Sequence, residues 1–409
     1  MGSEFSPSVR ACLPLCALVL ETAFVLIFCF FTSYNDSANN QTLTQNSQVF
    51  QDITIMAALG LGFLTSSFPK NSWSSVAFNL FILAIGVQWA VLLDGFLNKF
   101  SSGKIVIELS SIQLATMSAM SVLISVGAVL GKTNLLQLMM MALVEVTAFS
   151  VMMMVSDRVF NVDNHTSMMH IHVFAAYFGL AVAWCLSSSQ PKEKQREVKT
   201  AKGPDLFAML GTLFLWIFWP NFNSALLSIE NKRKAVFNTY YALAVSSVTA
   251  TSVSAAAHPE GKISMTHIHS AVLAGGVAVG ASCHLISSPW PAMLVGLLAG
   301  LISVGGAKCL PVGFHRMLMV HYAFGLPGLL GEITYITLMA LQASQNQDTT
   351  NCYQIFLNMG ILSFVMIMSL ASGFLTGSIL RLQIWKAPGV NKYYYDQDFW
   401  KFPHLADEF

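Results

Sequence analysis

The sequence predicts an all-α polytopic membrane protein with about twelve transmembrane helices. Three observations carry that class. Of 409 residues, 55% are hydrophobic and only 10% charged, with a mean hydropathy of +0.60, a balance outside the range of soluble domains. Apolar segments long enough to cross a bilayer recur at about 11–32, 52–68, 74–97, 104–130, 135–155, 165–188, 204–227, 237–257, 266–283, 287–307, 317–341 and 353–380. The net charge is +1, and no basic block is long enough to follow a phosphate backbone, which sets nucleic-acid binding aside.

The first apolar run, Ala11 to Phe31, follows Arg10. It is too long for a signal peptide and lacks a small-residue cleavage site, so it reads as a spanning helix over 11–32. Glu21 inside it should face protein rather than lipid. An even number of spans puts both termini on one side. If that side is cytoplasmic it receives fifteen Lys and Arg residues against six outside, so the positive-inside rule predicts a multi-pass protein with both ends cytoplasmic. The expected outer loop 33–51 is polar and carries two candidate glycosylation acceptors, Asn35 in Asn35-Asp-Ser and Asn40 in Asn40-Gln-Thr. A third match at Asn164 lies too close to the sixth span for easy enzyme access. The charged stretch 190–203 reads as a solvated connector.

The seven cysteines show no metal spacing and imply no disulfide framework. Cys12, Cys185 and Cys309 fall near the predicted cytoplasmic face, where they are either candidates for palmitoylation, and so for contact with membrane lipid, or inert buried thiols. Two regions follow: a transmembrane domain over 1–382 and a short cytoplasmic tail over 383–409. The tail is aromatic for a segment in water. Phe399, Trp400 and Phe402 mark either a docking site or an anchor in the membrane interface.

Candidate chemistry lies inside the spans. His170-Ile-His172 sits mid-helix in the sixth, and His321 precedes Gly325-Leu-Pro327-Gly328 in the eleventh. An ionisable side chain in hydrocarbon costs at least a few kcal/mol and by default marks a substrate or ion path. Pro220 and Pro327 are expected to interrupt two spans, as in the broken helices that line transporter sites. Gly276 with Gly280, and Gly296 with Gly300, read as surfaces for close helix packing. Glu145, Glu332, His267 and His269 also lie within spans, some of them as structural pairs. No nucleophile with its base, phosphate-cradling loop or metal signature occurs, so neither enzyme nor cofactor is predicted. A proton-coupled transporter using Glu21, Glu145 and Glu332 has no proton path in the sequence to pair them.

Four motifs are specific to one family: Leu123-Ile-Ser-Val-Gly-Ala-Val-Leu-Gly-Lys132, Ala176-Tyr-Phe-Gly-Leu180, Gly211-Thr-Leu-Phe-Leu-Trp-Ile-Phe-Trp-Pro220 and Leu273-Ala-Gly-Gly-Val-Ala-Val-Gly280. On them, almost the whole chain resembles the Rh blood group polypeptides, within the ammonium transporter, methylammonium permease and Rh superfamily. The tail Phe399-Trp-Lys-Phe-Pro-His-Leu405 is similar to that of the erythroid Rh(D)/Rh(CE) branch.

The resemblance implies an extra first helix before two inverted five-helix halves, and a trimer with one pore per subunit. It implies that His172 and His321 are the pore histidine pair, brought together at mid-membrane by the inverted repeat. Two imidazoles sharing a hydrogen bond can each offer a partner to neutral ammonia, which loses far less than ammonium on leaving water. It also implies an erythroid plasma-membrane location, passage of ammonia and of carbon dioxide, and two kinds of partner. These are the Rh-associated glycoprotein or like subunits in the trimer, and the ankyrin-linked membrane skeleton. The departures weigh against conduction. Of the two phenylalanines over the family's pore entrance, Phe222 matches one, whereas Met117 replaces the other with a flexible thioether. The acids eight residues before each histidine are replaced by Asn164 and Gly313, and Arg316 adds positive charge near the inner mouth. Two readings stay open: a channel-like subunit, or a transport-inactive structural one.

Overall fold

Lipid offers the backbone no hydrogen-bond partner, so each apolar segment must close its own N–H and C=O groups as a helix. The computed structural model describes residues 12–34, 40–67, 72–98, 103–187, 202–309, 319–346, 349–385, 387 and 399–400. Its helices are α1 (Leu13–Phe31), α2 (Asn40–Ile55), α3 (Ser72–Asn98), α4 (Leu109–Val129), α5 (Leu135–Arg158), α6 (Asn164–Met169), α7 (Ile171–Ser187), α8 (Lys202–Ser224), α9 (Ile229–Ala257), α10 (Met265–Val279), α11 (Pro289–Cys309), α12 (Leu326–Asn346) and α13 (Thr349–Leu380). π-helical turns at Met56–Leu61 and His321–Gly325 extend α2 and open α12. With α6 and α7 stacked as one crossing, these make twelve, each at an expected span. Ten are long and apolar enough to cross on composition alone. The other two are α10, which is short at 15 residues, and α9, whose 29 residues open on Glu230-Asn-Lys-Arg-Lys and are rich in Ser and Thr.

The ends of the helices are written in their caps. Asn134 and Gln137 exchange bonds at 2.9 Å each way to start α5, and Glu108 with Ser111 does the same for α4. Asp163 accepts from the Thr166 amide at 3.0 Å to start α6.

The crossings sort into two packed groups. Helices α3, α4, α5 and α7 pack on one another, while α9, α10 and α11 pack together with α8 and α12. The last helix, α13, returns to lie on α7 and α5. Small side chains set the spacing. Gly179 of α7 sits so close to α4 that an added Cβ would stand 2.7 Å from the Ser125 carbonyl oxygen. The Ser125 hydroxyl donates to the Ala175 carbonyl at 2.8 Å and also bonds Glu145, which accounts for that buried acid as a joint between α4, α5 and α7.

Two expectations change. The outer loop 33–51 is largely helix: α2 starts at Asn40, because Asn, Gln and Ser are compatible with a helix that projects beyond the hydrocarbon zone. Asn40 therefore opens a helix, and Asn35 lies outside the described residues. The all-α class stands, with one short addition: Thr32–Tyr34 (β1) pairs in parallel with Ile105–Ile107 (β2), tying the end of α1 to the entry of α4. Neither proline breaks its helix. Pro220 stays inside α8 near its end, and the helix runs on through Pro327 directly after the π turn His321–Gly325.

Helix α1 is the outlier. Phe24 is its one buried side chain, while Leu15, Leu18, Val19, Leu26 and Phe30 point outward. Glu21 is exposed on this helix, and accepts from the Gln88 side-chain amide at 3.3 Å.

Candidate functional site

Between α6 and α7 the chain breaks at His170, whose ψ of −11° departs from helical geometry. The break aims two imidazoles in different directions. His170 Nε2 meets Glu332 of α12 at 3.4 Å, while His172 turns into the core between the two packed groups. There it stacks on Trp219 at 5.7 Å and on Phe324 at 6.2 Å with the rings 5° from parallel, and meets the edge of Phe222 at 5.9 Å. Its Nδ1 is 3.3 Å from the Met169 carbonyl. The ring is 2% exposed, so three aromatic faces rather than solvent define its surroundings.

His321 enters from the other group. It begins the π turn before α12, a local insertion that often accompanies functional sites. Its ring lies 5.6 Å from Tyr177 of α7, edge to face, and its Nδ1 is buried without a hydrogen-bond partner. Trp219 Nε1, in the ring against His172, is likewise buried and unpartnered. Both expected pore histidines thus line the seam between α7 and the π turn, but no hydrogen bond joins them among the described residues. An apolar cleft lined by Leu61, Leu123, Ile124, Met319, Val320 and Phe324 ends one residue from His321.

The two residues expected at the pore entrance are both buried. Phe222 is 1% and Met117 0% exposed, both within the main buried cluster. Asn164 is exposed at the start of α6 and makes no recruiting charge. Its neighbour Asp163, besides capping the helix, acts electrostatically on His284. Burial pulls the His284 imidazole below its ordinary range, which Asp163 opposes and Lys234 reinforces. Gly313 and Arg316 lie outside the described residues.

The glycine pairs divide. Gly296 and Gly300 pack on α9 as expected, against Ala242 and Thr249. Gly276 and Gly280 face the site instead: an added Cβ would stand 2.8 Å from the Trp219 ring at the first and 3.3 Å from Asn223 Oδ1 at the second. Asn223 went unremarked in the sequence. Its amide donates to Thr239 at 3.1 Å and to the Gly276 carbonyl at 3.0 Å, locking the turn after Phe222.

Of the candidate lipidation thiols, Cys309 is exposed, whereas Cys12 and Cys185 are half-buried. The tail corrects its expectation. Phe399 meets Phe78 at 5.4 Å, and the Trp400 indole donates to Ser74 at 2.9 Å, so these rings lie half-buried on the start of α3 rather than free in water. Phe402 lies outside the described residues.

The model of the Ammonium Transporter Family matches residues 15–397. The chain belongs to that family, in its Rh branch. It is 61% identical to the human blood group Rh(CE) and Rh(D) polypeptides and to an RH-like protein of Macaca mulatta, over 99% of each chain. Among solved structures, the Rh50 protein of Nitrosomonas europaea matches with a TM-score of 0.77 at 25% identity, covering 91% of this chain and 96% of that one. The Mep2 protein of Saccharomyces cerevisiae shares the fold at a TM-score of 0.68 and 15% identity, covering 90% and 94%. The Rh chain is therefore a multi-pass membrane protein of a transporter family and not an enzyme. Among the described residues the scattered acids form separate contacts and no relay: Glu145 bonds Ser125, Glu332 meets His170, and Glu21 bonds Gln88.

Proposed function

We propose that this Rh chain is a channel-like subunit of an oligomeric complex in the erythrocyte membrane, linked to the passage of ammonia. One observation carries the reading. Two polar atoms, His321 Nδ1 and Trp219 Nε1, are buried without partners in the seam that holds both histidines. A buried polar atom left unpaired costs about 1–3 kcal/mol, and such groups in native proteins call for a reason. A path for a small polar molecule is one. Ammonia can donate and accept along it, whereas ammonium would need a compensating charge that Asn164 does not supply. Carbon dioxide, small and apolar, would follow the aromatic wall.

The second reading is a transport-inactive structural subunit, and the buried Met117 favours it. In that case the outward apolar face of α1 supplies contact area for like subunits or the Rh-associated glycoprotein in a trimer, and the tail beyond Trp400 serves the ankyrin-linked skeleton. Stopped-flow ammonia permeability separates the two. Vesicles containing this chain alone should exceed empty vesicles, and a folded His172→Ala/His321→Ala variant should return to background. Flux equal to empty vesicles for the folded wild type would leave the structural reading.

A further inference from the structure

At the outer end of the bundle, three side chains far apart in sequence converge. His165 opens α6, and Cys283 with His284 follows α10. The donor atoms of the three lie within 4.8 Å of one another. We propose that His165, Cys283 and His284 form a binding site for a divalent metal ion of the zinc class.

The chemistry of the set is selective: two imidazoles and one thiolate suit a borderline-soft cation and not magnesium or calcium. Cys283 Sγ is 3.9 Å from His165 Nε2, and the two imidazoles stand edge to face with centroids 5.1 Å apart. Around a tetrahedral ion with bonds of about 2.0 Å to nitrogen and about 2.3 Å to sulfur, neighbouring donors sit about 3.5 Å apart. The donor atoms here lie within 4.8 Å of one another, so side-chain rotation of about 1 Å, presenting His165 Nδ1 to the ion, closes the set.

Hydrogen bonding alone leaves the cluster unsatisfied. His165 Nε2 is 2.8 Å from the Asn223 carbonyl, which can only accept, so this nitrogen carries the proton. It then has no lone pair for the Cys283 thiol, and His165 Nδ1 is left as a bare, buried lone pair without a partner. His284 Nδ1 is buried and unpartnered as well. An imidazole that gives one N–H to a backbone carbonyl and keeps the other nitrogen bare is the usual arrangement of a ligating histidine. The exposed carboxylate of Asp163 adds negative charge beside the pair, and the half-exposed His284 gives an entry route. Binding would release the thiol proton to solvent and leave a fourth position for water. The ion would join the start of α6, the turn carrying Phe222 and Asn223, and the segment after α10.

The test uses the full chain in detergent, without a polyhistidine tag, titrated with Co²⁺ and then Zn²⁺. One Co²⁺ per chain should give tetrahedral d–d bands and a thiolate-to-cobalt charge-transfer band, all displaced by Zn²⁺. Cys283→Ser should abolish the charge-transfer band, and His284→Gln should weaken binding at least tenfold without moving the metal-free melting temperature. No charge-transfer band in the wild type, a band that survives Cys283→Ser, or unchanged affinity in His284→Gln would each overturn the site.

Discussion

His172 and His321, the two histidines expected to pair, are treated differently by the structure. His172 is walled by Trp219, Phe324 and Phe222 and held at the first turn of a regular helix. His321 is half-buried, sits in a π turn, and has among the described residues one aromatic neighbour, Tyr177, beside an apolar cleft. The first imidazole is therefore part of the packing, and the second is an adjustable group at the edge of it. A channel built this way has a fixed wall on one side and a compliant one on the other.

The largest expected effect tests that asymmetry. His172→Ala would leave a void beside the Trp219, Phe324 and Phe222 rings, so it should cost about 3 kcal/mol of stability. His321→Ala removes a ring with fewer contacts and should cost about 1 kcal/mol. Unfolding of the two variants in mild detergent should rank them in that order; equal losses would mean that the π turn is as tightly packed as α7.

A smaller effect sharpens the comparison from the backbone. At Gly325, the last residue of the π turn, an added Cβ would stand 3.2 Å from His321 Nδ1 and 3.3 Å from Ala176 Cβ. Gly325→Ala should therefore cost about 1 kcal/mol through crowding. Gly62, which follows the other π turn, has nothing within 4 Å of the same position, so Gly62→Ala should be neutral or stabilising by up to about 1 kcal/mol. If both alanines behave alike in thermal melts, the crowding around His321 is absorbed by its side chain and the turn is looser than drawn.

What the sequence made legible follows from what composition can encode. Twelve crossings were readable because lipid demands a run of apolar residues at each, and His172 and His321 stood out because imidazoles are costly there. The polar start of α2 was hidden, since nothing in Asn40-Gln-Thr-Leu-Thr-Gln-Asn distinguishes a projecting helix from a loop. The pairing of β1 with β2 joins segments of three residues each, too short to show a period. The cluster of His165 with Cys283 and His284 has no spacing motif at all, because its members meet only after α6 and α10 pack through Met169 and Gly280. The split among the glycines was equally invisible: identical spacing in α10 and α11 faces the Trp219 ring in one and a neighbouring helix in the other.

The smallest effect concerns how the fixed half is kept fixed. Phe399 and Trp400 return from the tail to Phe78 and Ser74 at the start of α3, and the Trp385 carbonyl accepts from Asn134 at 2.7 Å at the start of α5. All three contacts fall on the group that holds His172, none on the group of α9, α10 and α11. The tail should then act as a local brace. Trp400→Ala removes a half-buried ring and one hydrogen bond, a loss of about 1 kcal/mol after solvent refills the site. Hydrogen exchange should rise in the first turns of α3 and leave the π turn at His321 unchanged. A rise at both would show that the two halves share one cooperative unit, and the difference between the histidines would then belong to their side chains alone.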